Sequence, residues 1–388
     1  MARDLRLKVG GVLMGKRKLL LLIIILLLFA VIFPACANQG ISEQAVLGES
    51  DETDEKIESV SKDVSVERAE SAGKEGSLER EVKEEKEGST GRGQNAGSEE
   101  TFSLRISQGY GASTLADEKL SSQPNSSVMD ALYRVYPDEI ETAYGGSYVK
   151  GIASLRAELG GLGKPNKDWF FFVNGIFADT GALDYLPQRG EKLWWDYHPW
   201  QMFQATNAVI GCYPEPFVHG YRGKTNPTKI FYSAEGKDLA GQLAEALGTL
   251  GVRDVSVMEI SEELIEKREG PTIVVGVWEA LKQIKSLAEL NQGSQKNGTF
   301  IHFTDSSIEL LDYIGKKGDE VLTGAGVIAA SGKAAGDENP LWLISGTDKE
   351  GVEKAVKLLV EQPSKIAGFF SAVVTNKDEV VRLPLMPK

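Results

Sequence analysis

The stretch from Trp169 to Trp200 constrains this chain more than any other. It holds four of the six tryptophans and begins Trp169-Phe170-Phe171-Phe172-Val173-Asn174-Gly175. After a turn-rich interval it closes on Leu193-Trp194-Trp195-Asp196-Tyr197-His198-Pro199-Trp200. Aromatic and β-branched residues at this density, with Asn174-Gly175 and Arg189-Gly190 as turn signals, predict two strands of a small sheet rather than a helix. Side chains on a strand alternate, so Trp169, Phe171 and Val173 face one way and Phe170, Phe172 and Asn174 the other. Trp194 and Trp195 divide in the same manner. One row is expected to meet a helix. The other either packs on a neighbouring domain or receives something flat and apolar.

The residues before this stretch supply the rest of a small domain. Phe102, Leu104 and Ile106 alternate as a first strand. Ser126 and Ser127 precede apolar residues at helical spacing through Val135, which predicts a short capped helix. Gly145-Gly146 breaks the chain before a second strand, Ser147 to Ile152, and 160–166 reads as a loop. Strand, helix, strand and aromatic strand pair within about a hundred residues predict an α+β sheet crossed by one helix.

Four of these segments also carry a resemblance: Val128-Met129-Asp130-Ala131-Leu132, Ser147-Tyr148-Val149-Lys150-Gly151-Ile152, the aromatic-Val-Asn-Gly element, and Gly190-Glu191-Lys192-Leu193-Trp194-Trp195-Asp196-Tyr197. In sequence they resemble a bacterial family similar to the C-terminal β-domain of transcobalamin and intrinsic factor, over residues 101–200. The resemblance implies a β-grasp-like aromatic domain at 101–205 and a corrinoid such as cobalamin as ligand. The helical partner domain of transcobalamin has no counterpart in this sequence, and a shared domain does not fix a shared ligand.

From Asn207 onward the pattern changes. Lys229–Tyr232, Val255–Met258, Thr272–Val277, Phe300–Phe303 and Leu341–Ile344 are short apolar runs that read as buried strands. Helix-like stretches lie between them at Lys237–Leu250, Ser261–Arg268, Glu279–Asn291 and Lys349–Glu361. Alternation of this kind predicts a layered α/β domain, 206–388, with a largely parallel sheet and no assignable family. Gly324-Ala325-Gly326-Val327-Ile328-Ala329 spells a dinucleotide fingerprint, but no amphipathic helix follows, so strand and loop are expected there.

The N-terminus specifies export. Residues 1–40 carry a net charge of +5, and the basic residues precede an unbroken apolar run from Leu19 to Phe33. The run ends in Pro34-Ala35-Cys36-Ala37, giving a signal segment over residues 1–37. Phe33-Pro34-Ala35-Cys36 resembles a bacterial lipoprotein box, which implies lipidation of Cys36. Ala35-Cys36-Ala37 also fits signal-peptidase cleavage before Asn38, and an uncleaved anchor is the third reading; all three place the body outside the cytoplasm. Residues 41–100 carry a net −10 and no Phe, Trp, Tyr, Pro, Cys or His. Such a segment buries too little apolar surface to offset its chain entropy, so 38–100 is expected to be a disordered acidic linker.

The remaining −8 on residues 101–388 excludes a nucleic-acid partner, because phosphate binding needs a basic face. There is no Gly-x-Ser-x-Gly elbow, Walker loop or His-Glu-x-x-His, and only three histidines occur, so no enzyme is expected. His198, Cys212 and His219 match no zinc spacing, and no metal site is expected among them. Nor is a cofactor, beyond cobalamin as ligand. What remains is a tethered extracytoplasmic binding protein for a small flat ligand, serving uptake or sensing beside a membrane transporter. The expected ligand-binding residues are Trp169, Phe171, Asn174, Trp194, Trp195, Tyr197 and His198. The alternative is a cell-surface structural or protein-interaction module with no small ligand.

Overall fold

A computed structural model describes residues 100–386, apart from 162, 163, 203 and 322, together with a two-residue pairing of Lys8–Val9 against Val12–Leu13. The apolar run, Cys36 and the acidic linker therefore lie outside the described residues. Residues 100–386 fall in one compact unit of mixed α and β structure.

The first layer is a five-stranded sheet. Its strands are β1 (Thr101–Gln108), β2 (Ser113–Ser121), β6 (Asn166–Val173), β7 (Ile176–Phe177) and β8 (Lys192–Trp200), in the order β2-β1-β8-β6-β7. β8 runs parallel to β1 and antiparallel to β6, so the two aromatic segments are neighbours, with Trp195 opposite Phe171 and Trp194 opposite Phe172. Helix α1 (Val128–Val135) covers one face and buries Val128, Met129, Ala131 and Leu132. Ser127 begins it through a capping box: its Oγ accepts from Asp130 N at 3.2 Å, and its own N–H donates to Asp130 Oδ2 at 2.7 Å. A small antiparallel sheet, β3 (Ile140–Ala143), β4 (Tyr148–Ile152) and β5 (Leu155–Arg156), lies beside it.

The second layer is a seven-stranded sheet. β9 (Thr228–Tyr232), β10 (Val255–Glu259), β11 (Thr272–Val277), β15 (Gly326–Ser331), β16 (Leu341–Gly346), β17 (Ser371–Val374) and β18 (Val380–Leu383) follow the order β10-β9-β11-β16-β15-β17-β18. β10, β9, β11 and β16 are mutually parallel, whereas β15, β17 and β18 are added antiparallel. The Gly-x-Gly-x-x-Ala segment enters this sheet as β15, each of whose residues is buried. Phe300–Phe303 departs from expectation: Ile301–Phe303 (β12) pairs with β13 (Ile308–Leu311), and that with β14 (Lys317–Val321), in a separate antiparallel sheet. Helices α2 (Lys237–Thr249) and α3 (Lys349–Glu361) pack on one face of the seven-stranded sheet through Leu243, Leu247, Val352 and Leu359. Between them in sequence, the expected helix Glu279–Asn291 is divided into Trp278–Leu281 and Lys285–Gln292.

The two layers share a core. Phe172 and Trp194 from the five-stranded sheet, and Tyr110 from the turn between β1 and β2, are buried in the same cluster as Val209, Cys212, Val274, Val327, Phe300 and Phe370. Residues 208–221 lace them: Val209 N donates to Gly175 O at 2.8 Å and Ile210 N to Phe370 O at 3.2 Å. The outward aromatic row of the first sheet therefore meets the neighbouring domain.

Candidate functional site

Strand alternation sorts the aromatic residues into two sets. On the helix side, Phe171 stacks on Trp195 at 5.0 Å and Trp169 meets Tyr197 at 5.2 Å, all four buried with α1. On the other side, Phe172, Trp194 and Tyr110 surround Phe370 at centroid distances of 5.6, 5.1 and 5.0 Å. Asn174 is also internal: its Oδ1 accepts from Lys192 N and its Nδ2 donates to Gly220 O, both at 2.8 Å. Its φ of +52° sits in the left-handed region, which asparagine tolerates in turns. Of the seven residues singled out in the sequence, six thus lie in packed interior and present no open face. His198 borders a cavity.

His198 belongs to a polar knot at the join of the layers. Its Nδ1 lies 2.7 Å from Asp196 Oδ1. The same carboxylate accepts from Tyr110 N at 2.9 Å, from Gly111 N at 2.8 Å and from Ser107 Oγ. Gly109, Tyr110 and Gly111 have φ of +68°, +58° and +74°, which turns the last two N–H groups onto the carboxylate. Four donors compensate a carboxylate with no exposure. A carboxylate only accepts, so Nδ1 carries a proton, and Nε2 is the ring nitrogen left for another partner. Phe170 and Tyr110 sandwich the imidazole, each at 4.1 Å, and fix its plane.

An open groove of about 620 Å3 lies on the outside of the small domain. Tyr144, Tyr148, Leu159, Asp168 and Trp200 line it, with Lys150 at its edge. Tyr144 is 86% exposed and Leu159 95%. Asp168 precedes Trp169 on β6 and accepts from Tyr148 Oη at 2.9 Å. Burial raises the Asp168 carboxyl above its ordinary range, against the pull of Trp169 N–H and the Tyr148 hydroxyl. Burial, together with that carboxylate, pushes Tyr148 up to about 12. The groove thus offers aromatic faces, two carboxylates (Glu158 and Asp168) and two ammonium groups (Lys150 and Lys167), within the volume range of small-ligand sites, about 300–1,000 Å3. Sequence reasoning missed Tyr144, Tyr148, Asp168 and Trp200 as a set. The signals were present as two tyrosines flanking Gly145-Gly146 and an aspartate at the head of the aromatic strand.

Other candidate residues are accounted for locally. Cys212 is buried and its thiol is raised to about 11 by desolvation. His219 Nδ1 pairs with Glu215 Oε1 at 2.6 Å, and that hydrogen bond raises the imidazole above its usual value.

Residues 125–199 match a family model described as Domain of unknown function (DUF4430). The matched span runs from α1 to the penultimate residue of β8 and includes Tyr144, Tyr148, Asp168 and His198. Comparison with curated proteins finds no match.

Asp168 supplies a test. Its folded-state carboxyl is raised, so the ionised form costs stability once the pH exceeds the unfolded value near 3.9, and that cost is in full force above the folded value. Asp168→Asn keeps an acceptor for Tyr148 and removes the charge. Urea unfolding at neutral pH is expected to show the variant more stable than the parent, with the difference shrinking toward pH 4. A variant less stable at neutral pH contradicts this reading.

Proposed function

We propose that this chain is a membrane-tethered extracytoplasmic binding protein for a small flat ligand, and that the ligand site is the groove of Tyr144, Tyr148, Asp168 and Trp200. The observation that carries the reading is that groove: apolar rings left open to solvent around a half-buried carboxylate, all but Trp200 in the span matched by the DUF4430 model. Exposed aromatic surface beside a carboxylate held at a stability cost is a pattern of binding sites rather than of folding. The reading assigns no catalytic step.

The small domain is best described as β-grasp-like. Its first and last strands lie parallel at the centre of the sheet, with one helix across the face, and this topology supports the resemblance to the transcobalamin β-domain. That resemblance makes a corrinoid the first ligand to test, docked by one edge because it is larger than the groove. The acidic linker would serve as a stalk between membrane and body, and the natural recipient of the ligand is a membrane transporter. Cys36 is assigned as the lipidated residue. Mass spectrometry of the mature N-terminus is expected to find a diacylglyceryl-modified Cys36, and a chain beginning at Asn38 refutes the anchor.

Titration of the detergent-solubilised full chain with cobalamin, followed by calorimetry and by the corrin absorbance spectrum, tests the ligand. Saturable micromolar binding that weakens about tenfold or more in Trp200→Ala, with the unfolding midpoint unchanged, is expected from loss of one stacking face. No heat at tens of micromolar removes the corrinoid. Exposed Tyr144 and Leu159 also suit a protein-interaction module; that reading gains if Leu159→Asp abolishes capture of a surface partner while no small molecule binds.

A further inference from the structure

Across Trp200 from the groove, beside the Asp196–His198 pair, lies a second and smaller cavity of about 130 Å3. Its apolar walls are the rings of Tyr110, Phe170, Phe172, Phe177 and Phe300. Exposed Ala205 and Lys296 stand at its solvent side, joined by Ala205 N donating to Lys296 O at 2.8 Å. A cavity of comparable volume, about 150 Å3 and wholly apolar, holds one benzene in another protein.

Gln204, Thr206, Asn207, Gln295 and Lys296 supply the polar part of the lining, and His198 and Trp200 add ring nitrogens to it. With Nδ1 committed to Asp196, the His198 ring offers Nε2 as a fixed acceptor. Trp200 Nε1 is buried and has no hydrogen-bond partner among the described residues. Trp200 follows His198 by two residues on β8, so both side chains leave the same face of the strand. A buried N–H without a partner costs free energy, and an occupant that accepts from it removes that cost.

We propose that this cavity is an internal binding site for a small neutral aromatic hydroxyl compound of the phenol class. Its ring lies among the aromatic walls, its hydroxyl donates to His198 Nε2, and the same oxygen accepts from Trp200 Nε1. A hydroxyl both donates and accepts through one atom, which matches one fixed acceptor and one orphaned donor. A carboxylate accepts only and leaves His198 Nε2 without a donor; an ammonium donates only and leaves Trp200 unsatisfied. The volume admits a single ring. The cavity shares Trp200 with the groove, but this inference does not require that the groove hold a ligand.

Fluorine NMR of the full chain with 4-fluorophenol, compared with 4-fluoroanisole, is the test. One-to-one saturable binding of the phenol is expected at millimolar concentration or below. The ether, unable to donate, is expected to bind about tenfold more weakly, the loss of one hydrogen bond. Ala205→Phe, which fills the cavity from its exposed rim and leaves the Asp196–His198 pair intact, is expected to abolish binding. His198→Phe is expected to equalise phenol and ether; should that variant fail to fold, the ether comparison and Ala205→Phe carry the decision. Tyr148→Ala, in the groove alone, is expected to leave phenol affinity unchanged. Absence of saturable binding, equal affinity for phenol and ether in the parent protein, or full binding by Ala205→Phe overturns the proposal.

Discussion

The packing of Phe172, Trp194 and Tyr110 around Phe370 is the contact on which the rest of the structure depends. It turns the outward row of a small sheet into the inner face of a shared core. Each such ring buries a large apolar area, and each well-placed aromatic pair adds about 0.5–1.5 kcal/mol beyond that. Exposed ion pairs are worth about 0–1 kcal/mol, so bonds such as Lys224–Glu338 do not set the arrangement. Glycine permits the fit. A Cβ on Gly111 would lie 1.8 Å from Gly368 O, and one on Gly211 would lie 2.5 Å from Phe369 N. The turn after β1 and the segment before β17 therefore meet backbone to backbone.

That docking also builds the polar chemistry. Asp196 is fully buried, and it is tolerated because the left-handed Gly109–Gly111 turn aims two N–H groups at it. It then orients His198, whose far edge faces the small cavity. Trp200, at the end of the same strand, lines both that cavity and the outer groove. One strand thus supplies core, buried charge and cavity wall in successive residues of a single face.

The sequence carried much of this. Alternation of large rings identified β6 and β8, and their two-faced character followed from strand geometry alone. Ser127 announced α1, and the apolar runs at 229–232, 272–277 and 341–344 became central strands. Other features were hidden for physical reasons. β2 is an edge strand of mostly exposed residues, Ser-Thr-Leu-Ala-Asp-Glu-Lys-Leu-Ser, and shows little hydrophobic pattern. β12 is as apolar as a parallel strand, and only its pairing with β13 across Thr304–Ser307 distinguishes it. The groove was the hardest to see. Its residues come from four separated positions, and the loudest aromatics, Trp194 and Trp195, are buried for packing. Sequence density of aromatics marks where burial is greatest, whereas open rings such as Tyr144 stand singly.

The central claim is that the two sheets form one cooperative body through the outward aromatic row. Urea unfolding of Trp194→Ala, followed by tryptophan fluorescence and far-ultraviolet circular dichroism, tests it most directly. Removing a buried tryptophan side chain is expected to cost about 3–5 kcal/mol, and both signals are expected to move together to the same lower midpoint. Separate transitions, with the seven-stranded sheet melting where it does in the parent protein, would contradict the account.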